Sequence, residues 1–166
     1  MKKLLCAIPV VLSALLLWAA YVPMNETCAI LFALAPMLVV SRLCPPKRSA
    51  WLWFACGMLF WLATLSWMPA IVKNNGPLPL VLLGWFGLAA LCSAYFALFG
   101  WLSARAWQKF GSSKLWPLLV FEPLFWAGTE WLRGTLFTGF AWNVLATAVG
   151  ASRPLPRRRV SAARIS

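Results

Sequence analysis

The sequence predicts an all-α integral membrane protein, a polytopic helical bundle of about five transmembrane helices plus an interfacial segment. Three observations lead there. Of 166 residues, 63% are hydrophobic and only 11% charged, where a soluble domain would carry about a quarter charged. Mean hydropathy is +0.80. Apolar runs close to the ~20 residues needed to span a bilayer occur at 4–22, 27–43, 50–72, 80–102 and 115–132.

The first run follows Lys2 and Lys3. It exceeds the ~7–15 apolar residues of a signal peptide and lacks a small-x-small cleavage pattern, so it reads as a retained span. The second ends at Arg42, Lys47 and Arg48, and the third leads into Lys73. The fourth carries Gly87, Ala90, Ala94 and Ala97 at three- and four-residue steps, a small-residue face expected to admit a neighbouring helix. The fifth contains Glu122-Pro123. Pro123 removes a backbone donor and is expected to kink the helix, with a protonated Glu122 bonding the freed backbone. Residues 136–150 amount to about 22 Å of helix, too short to cross comfortably. They form the interfacial segment.

Lys and Arg orient the spans. Eight of them, Lys2, Lys3, Arg42, Lys47, Arg48, Arg105, Lys109 and Lys114, fall on one side; only Lys73 and Arg133 fall on the other before the tail. The N-terminus is therefore expected in the cytoplasm, with loops 23–26, 73–79 and 133–143 outside. Trp18, Trp51, Trp53, Trp67, Trp101, Trp116 and Trp131 lie near span ends, as an interfacial aromatic belt would. Trp61, Trp85 and Trp126 lie deeper and are expected to pack.

Composition also excludes. Net charge is +12, but the basic residues flank apolar runs or sit in the tail, a topology signal rather than a nucleic-acid face. Asp and His are absent, and Glu26, Glu122 and Glu130 are the only acids. That argues against His-based catalysis and most metal sites; no metal or cofactor is expected. Cys6, Cys28, Cys44, Cys56 and Cys92 form no C-x-x-C pair, so neither a disulfide framework nor a zinc site follows.

The segment that carries most information runs from Glu130 to Asn143. Glu130 and Arg133 are three residues apart, on one helix face and able to pair. Gly134 and Gly139 permit backbone conformations closed to other residues, while Phe137, Phe140 and Trp142 are bulky and apolar. An aromatic, Gly-containing turn beside an ion pair suits a re-entrant or interfacial segment. A structural ion pair anchoring the helix end is preferred to a catalytic role. Glu130, Trp131, Arg133, Gly134, Thr138, Gly139, Phe140, Trp142 and Asn143 are the candidates for contact with lipid or with another domain; none is assigned a catalytic role.

Pro123-x-x-Trp126, Glu130-Trp131-Leu132-Arg133-Gly134 and Thr138-Gly139-Phe140-x-Trp142 together resemble the membrane domain of bacterial apolipoprotein N-acyltransferases. Ser66-Trp67 and the stretch Asn74-Asn75-Gly76-Pro77-Leu78-Pro79 are similar, more loosely, to an earlier outward loop of that family. Ala141 stands where the family usually has Pro. The resemblance implies a multi-pass protein of the bacterial inner membrane, with phospholipid and apolipoprotein as partners. It implies transfer of an acyl chain from phospholipid to the amine of a lipoprotein's diacylglyceryl cysteine, through a thioester on a catalytic Cys supported by Glu and Lys. That triad belongs to a nitrilase-like domain on the outer face, and no residue of this chain matches it. The chain alone is therefore expected to be inactive.

Residues 1–150 are read as the N-terminal transmembrane domain of that type. Residues 151–166 hold five Arg and no Lys, against six Lys and four Arg upstream. They are expected to be a disordered or frame-shifted tail. The rival class is a complete small membrane transport or accessory subunit, with Glu122 as an intramembrane polar site.

Overall fold

The computed structural model of the protein describes residues 2–21, 27–74, 76–110, 116–136 and 139–150. The predicted loop 23–26, Thr138 and the tail 151–166 lie outside them. The described elements are α1 (Lys2–Ala20), α2 (Thr27–Ala33), α3 (Ala35–Leu43), α4 (Pro46–Thr64), a 3-10 turn (Met68–Asn74), α5 (Leu78–Phe110), α6 (Trp116–Thr135) and α7 (Leu145–Gly150). Among the described residues there is no strand, so the all-α expectation holds. Two helical stretches, Pro46–Lys73 and Leu78–Phe110, are long and apolar enough to cross a membrane.

The 27–43 run is not one helix. Pro36 sits at the start of α3, where its ring and missing N–H oppose continuation from the preceding turn. The chain breaks at Leu34 and restarts, with the Leu38 N–H bonding the Leu34 carbonyl at 2.9 Å. Pro9 and Pro123, by contrast, lie inside α1 and α6.

The α4–α5 contact is the most extensive in the fold, and its pattern explains why. On α4, Ser49, Trp53, Cys56, Gly57, Phe60 and Trp61 are buried; on α5, Ala89, Cys92, Ser93, Phe96, Phe99, Gly100 and Ser103 are. Both sets recur at three- and four-residue steps, one stripe on each helix. Large rings on one side meet small residues on the other. Gly100 is the sharpest case: a Cβ there would collide with the Trp53 indole.

The close approach lies on a different face of α5 from the expected one. Gly87 and Ala94 are exposed, and nothing lies within 4 Å of a Cβ placed on Gly87. The close contacts are made at Gly57 of α4 and Gly100 of α5, so the expected face from Gly87 to Ala97 is not the one on which α4 packs.

Trp53 also departs from the belt reading: it is fully buried. Its indole N–H donates to Ser41 Oγ at 2.8 Å, Ser41 lies 3.2 Å from Ser49 Oγ, and Ser49 donates to the Gly100 carbonyl at 2.8 Å. Ser49 has one hydroxyl proton, already committed to Gly100. Ser41 must then donate to Ser49, and the chain of bonds runs one way, from α4 to α3, back to α4 and on to α5. Every group in it is satisfied, as a buried polar network requires. Trp51, Trp67, Trp101 and Trp131 are exposed, and Trp61 and Trp126 are buried as expected.

Candidate functional site: the clamped turn after α6

Helix α6 delivers Glu130 and Arg133 to one end of the fold, where the chain turns back toward α7. Both side chains reach that turn. Arg133 Nη1 donates to the Phe140 carbonyl at 2.8 Å and to the Trp142 carbonyl at 2.6 Å. The Phe140 N–H donates to the Arg133 carbonyl at 2.9 Å, so residue 133 binds the turn with side chain and backbone together. Glu130 Oε1 accepts the Leu145 N–H at 2.7 Å and so caps the first turn of α7.

This revises the expected ion pair. The two side chains attract one another electrostatically, but their hydrogen bonds go to the turn. Between them lies a void of about 20 Å³, also bordered by Tyr95, Phe96, Trp126 and Thr129.

The glycines act by geometry. Gly139 has φ +75°, and a Cβ there would strike the Gly134 carbonyl oxygen. The turn closes on itself at that point, with the Gly139 N–H bonded to the Leu136 carbonyl at 2.9 Å. Asn143, at φ 48°, takes the left-handed conformation that Asn tolerates better than most residues.

Rings surround the guanidinium. Arg133 is only 4% exposed, and its Cζ lies 5.0 Å from the Trp61 ring centre, within cation–π range. Phe140 packs on Trp61 at 5.9 Å and stacks with Trp142 at 6.3 Å, and Trp142 faces Trp67 at 6.5 Å. The Tyr21 hydroxyl at the end of α1 donates to the Asn143 carbonyl at 3.0 Å. Elements distant in sequence thus converge on one turn.

Of the sequence candidates, Glu130, Arg133, Gly134, Gly139, Phe140, Trp142 and Asn143 are brought together. Trp131 is not: it points outward from α6, 67% exposed. Thr138 lies outside the described residues. Sequence reasoning missed Tyr21, Trp61 and Leu145. For Tyr21 a weak signal existed, a phenol at the end of an apolar run; for Leu145 the contact is a backbone N–H, which no residue type announces.

Glu122 forms a second polar site, near the start of α6. Its Oε1 accepts from Ser103 Oγ at 2.6 Å and from the Trp107 indole at 3.0 Å. The expected bond to freed backbone is replaced by side chains of α5, because the packing of α5 on α6 supplies two donors. The Arg42 guanidinium lies over the Trp107 ring, 5.3 Å from its centre.

Among the described residues the protein is an all-helical module with two apolar helices of spanning length and a turn after α6 held by Arg133 and Glu130. Residues 13–155 match the Apolipoprotein N-acyltransferase N-terminal domain, and the chain belongs to that family. It is 34% identical over 146 residues to the apolipoprotein N-acyltransferase of Methylococcus capsulatus, covering 86% of this chain and 27% of that protein. The Vibrio parahaemolyticus enzyme of the same name is 33% identical over 112 residues, 65% of this chain and 21% of its own length. The Pasteurella multocida enzyme is 28% identical over 141 residues, 85% and 26% respectively. The chain spans about a quarter of the length of these relatives.

Proposed function

We propose that this chain is the membrane-anchoring part of an apolipoprotein N-acyltransferase and that it has no turnover alone. In this reading five spans cross the bacterial inner membrane, the N-terminus is cytoplasmic, and the clamped turn faces outward. The turn holds lipid or a catalytic domain in place beside the membrane surface; acyl transfer from phospholipid to a lipoprotein amine occurs elsewhere in the complete enzyme. The observation that carries the reading is the Glu130–Arg133 clamp. An aromatic turn at a helix end suits the bilayer interface, and the buried Arg133 guanidinium bonds two of its carbonyls and so fixes where it lies.

The chemistry supports inactivity of the isolated chain. A thioester route needs an activated thiolate with a base and oxyanion donors nearby. Of the cysteines whose side chains are described, Cys56 and Cys92 are buried among apolar helices, closed to an incoming lipoprotein amine, and Cys44 is half-buried at the end of α3.

The test is a chimera. Residues 1–150 are joined to the remaining part of the Vibrio parahaemolyticus acyltransferase and expressed in a strain depleted of lipoprotein N-acylation. The chimera is expected to restore growth, the isolated chain to fail, and both to insert stably. Acylation of a lipopeptide by the purified chain unaided, or failure of a stably inserted chimera, would reject the proposal.

A further inference from the structure

A groove of about 510 Å³ opens at the end of the α4–α5 pair, bordered by Pro45, Pro46 and Lys47 at the start of α4 and by Trp101, Arg105 and Gln108 near the end of α5. An adjoining hollow shares Arg105 and Gln108 and reaches Lys109. Lys47, Arg105 and Lys109 are all exposed, and among the described residues no carboxylate borders either hollow. Along the helices the surface then changes character. On the Lys47 face of α4 come exposed Trp51, Ala55 and Leu59, each four residues on; behind Arg105 on α5 come exposed Trp101, Leu98, Ala94 and Leu91 at three- and four-residue steps. Such steps keep residues on one helix face. The Arg105 Cζ lies 5.0 Å from the Trp101 ring centre, which holds the guanidinium where the charged zone meets the apolar one.

From these two zones we infer that the groove binds an anionic phospholipid, its phosphate between Lys47 and Arg105 and its acyl chains along the two exposed stripes. Both stripes run toward the middle of helices long and apolar enough to cross a membrane. From Trp101 to Leu91 the α5 stripe is about 15 Å long, half the ~30 Å hydrocarbon thickness and so the depth of one leaflet. A soluble phosphate would use the cations and leave the stripes idle. A zwitterionic head would bring its ammonium among like charges with no carboxylate to receive it. A head charged only at its phosphate, as in phosphatidylglycerol, meets no such opposition. The inference rests on the reading above for the placement of α4 and α5 in a bilayer. It adds a lipid site at the opposite end of α4 from Trp61 and the clamped turn.

The experiment places the full chain in phosphatidylethanolamine nanodiscs containing a minority of phosphatidylglycerol with a photoactivatable acyl chain, and mass spectrometry maps the label. Saturable labelling concentrated on residues 51–59 and 91–101 is expected, competed by unlabelled phosphatidylglycerol but not by inorganic phosphate. Lys47→Gln and Arg105→Gln, both at exposed positions, are each expected to weaken it about fivefold. Lys73→Gln, which removes a cation of the 3-10 turn, is expected to leave it unchanged. Labelling spread over all helices, competition by inorganic phosphate, full labelling in the Lys47→Gln, Arg105→Gln double variant, or an equal loss in Lys73→Gln would each overturn the assignment. An inserted chain without lipid preference loses this site alone, because growth of the chimera tests the anchoring role separately.

Discussion

The Arg133 guanidinium lies 5.0 Å from the centre of the Trp61 ring while Nη1 of the same side chain bonds two carbonyls of the turn that follows it. One buried cation thus ties α6, the last turn of α4 and residues 140–142 together. A Lys at this position would offer a point charge without the planar fork.

Arg133→Lys is therefore expected to destabilise the fold by about 1–3 kcal/mol, the range for losing charge-assisted hydrogen bonds. Arg133→Ala should lose more, since two carbonyls are then left without their donor. Thermal unfolding in detergent, followed by circular dichroism, measures both. An Arg133→Lys protein as stable as the parent would show that the clamp contributes nothing.

Gly139→Ala probes the same turn through its backbone. At φ +75°, with the Gly134 carbonyl oxygen in the way, an added methyl is strained by both conformation and contact; about 1–3 kcal/mol is expected. Limited proteolysis of the turn should accelerate markedly while the α4–α5 contact stays intact. Equal cleavage rates in variant and parent would refute the account.

Much of this was legible from residue types, and the gaps have physical causes. The positions of the apolar helices follow from hydrophobic runs, because burying or lipid-exposing a Leu-rich stretch depends on composition alone. The turn residues announced themselves through Gly139 and through Glu130 and Arg133, groups too costly to bury without purpose. What those two side chains bind was not legible. Three-residue spacing permits an ion pair, but the choice between pairing with each other and bonding the turn is set by where 140–145 folds back. The small-residue face on α5 was misplaced for a related reason: Gly87 and Gly100 look alike in sequence, and only the position of Trp53 on α4 distinguishes them.

Glu122 gives a prediction about polar burial. Its Oε1 answers two buried donors, Ser103 and Trp107. Glu122→Leu leaves both unpaired, at about 1–3 kcal/mol for each. Glu122→Gln keeps a carbonyl oxygen at that place and should lose far less. Unfolding midpoints of the two variants give the comparison, and equal losses would mean that charge rather than hydrogen bonding holds the site.

Two of the α5 glycines, Gly87 and Gly100, offer the cleanest contrast. Gly100→Ala forces the Trp53 indole to move, and the Ser41–Ser49 chain that orients it must move too; overpacking of this kind typically costs about 1–3 kcal/mol. Gly87→Ala meets open space and removes a flexible residue from a helix interior, so it should stabilise by up to about 1 kcal/mol. The same substitution on the same helix is therefore expected to act with opposite sign thirteen residues apart. Denaturation of both variants in one detergent decides it: if Gly87→Ala were the more damaging, α4 would pack on the Gly87 face of α5 and the arrangement described around Trp53 would be wrong.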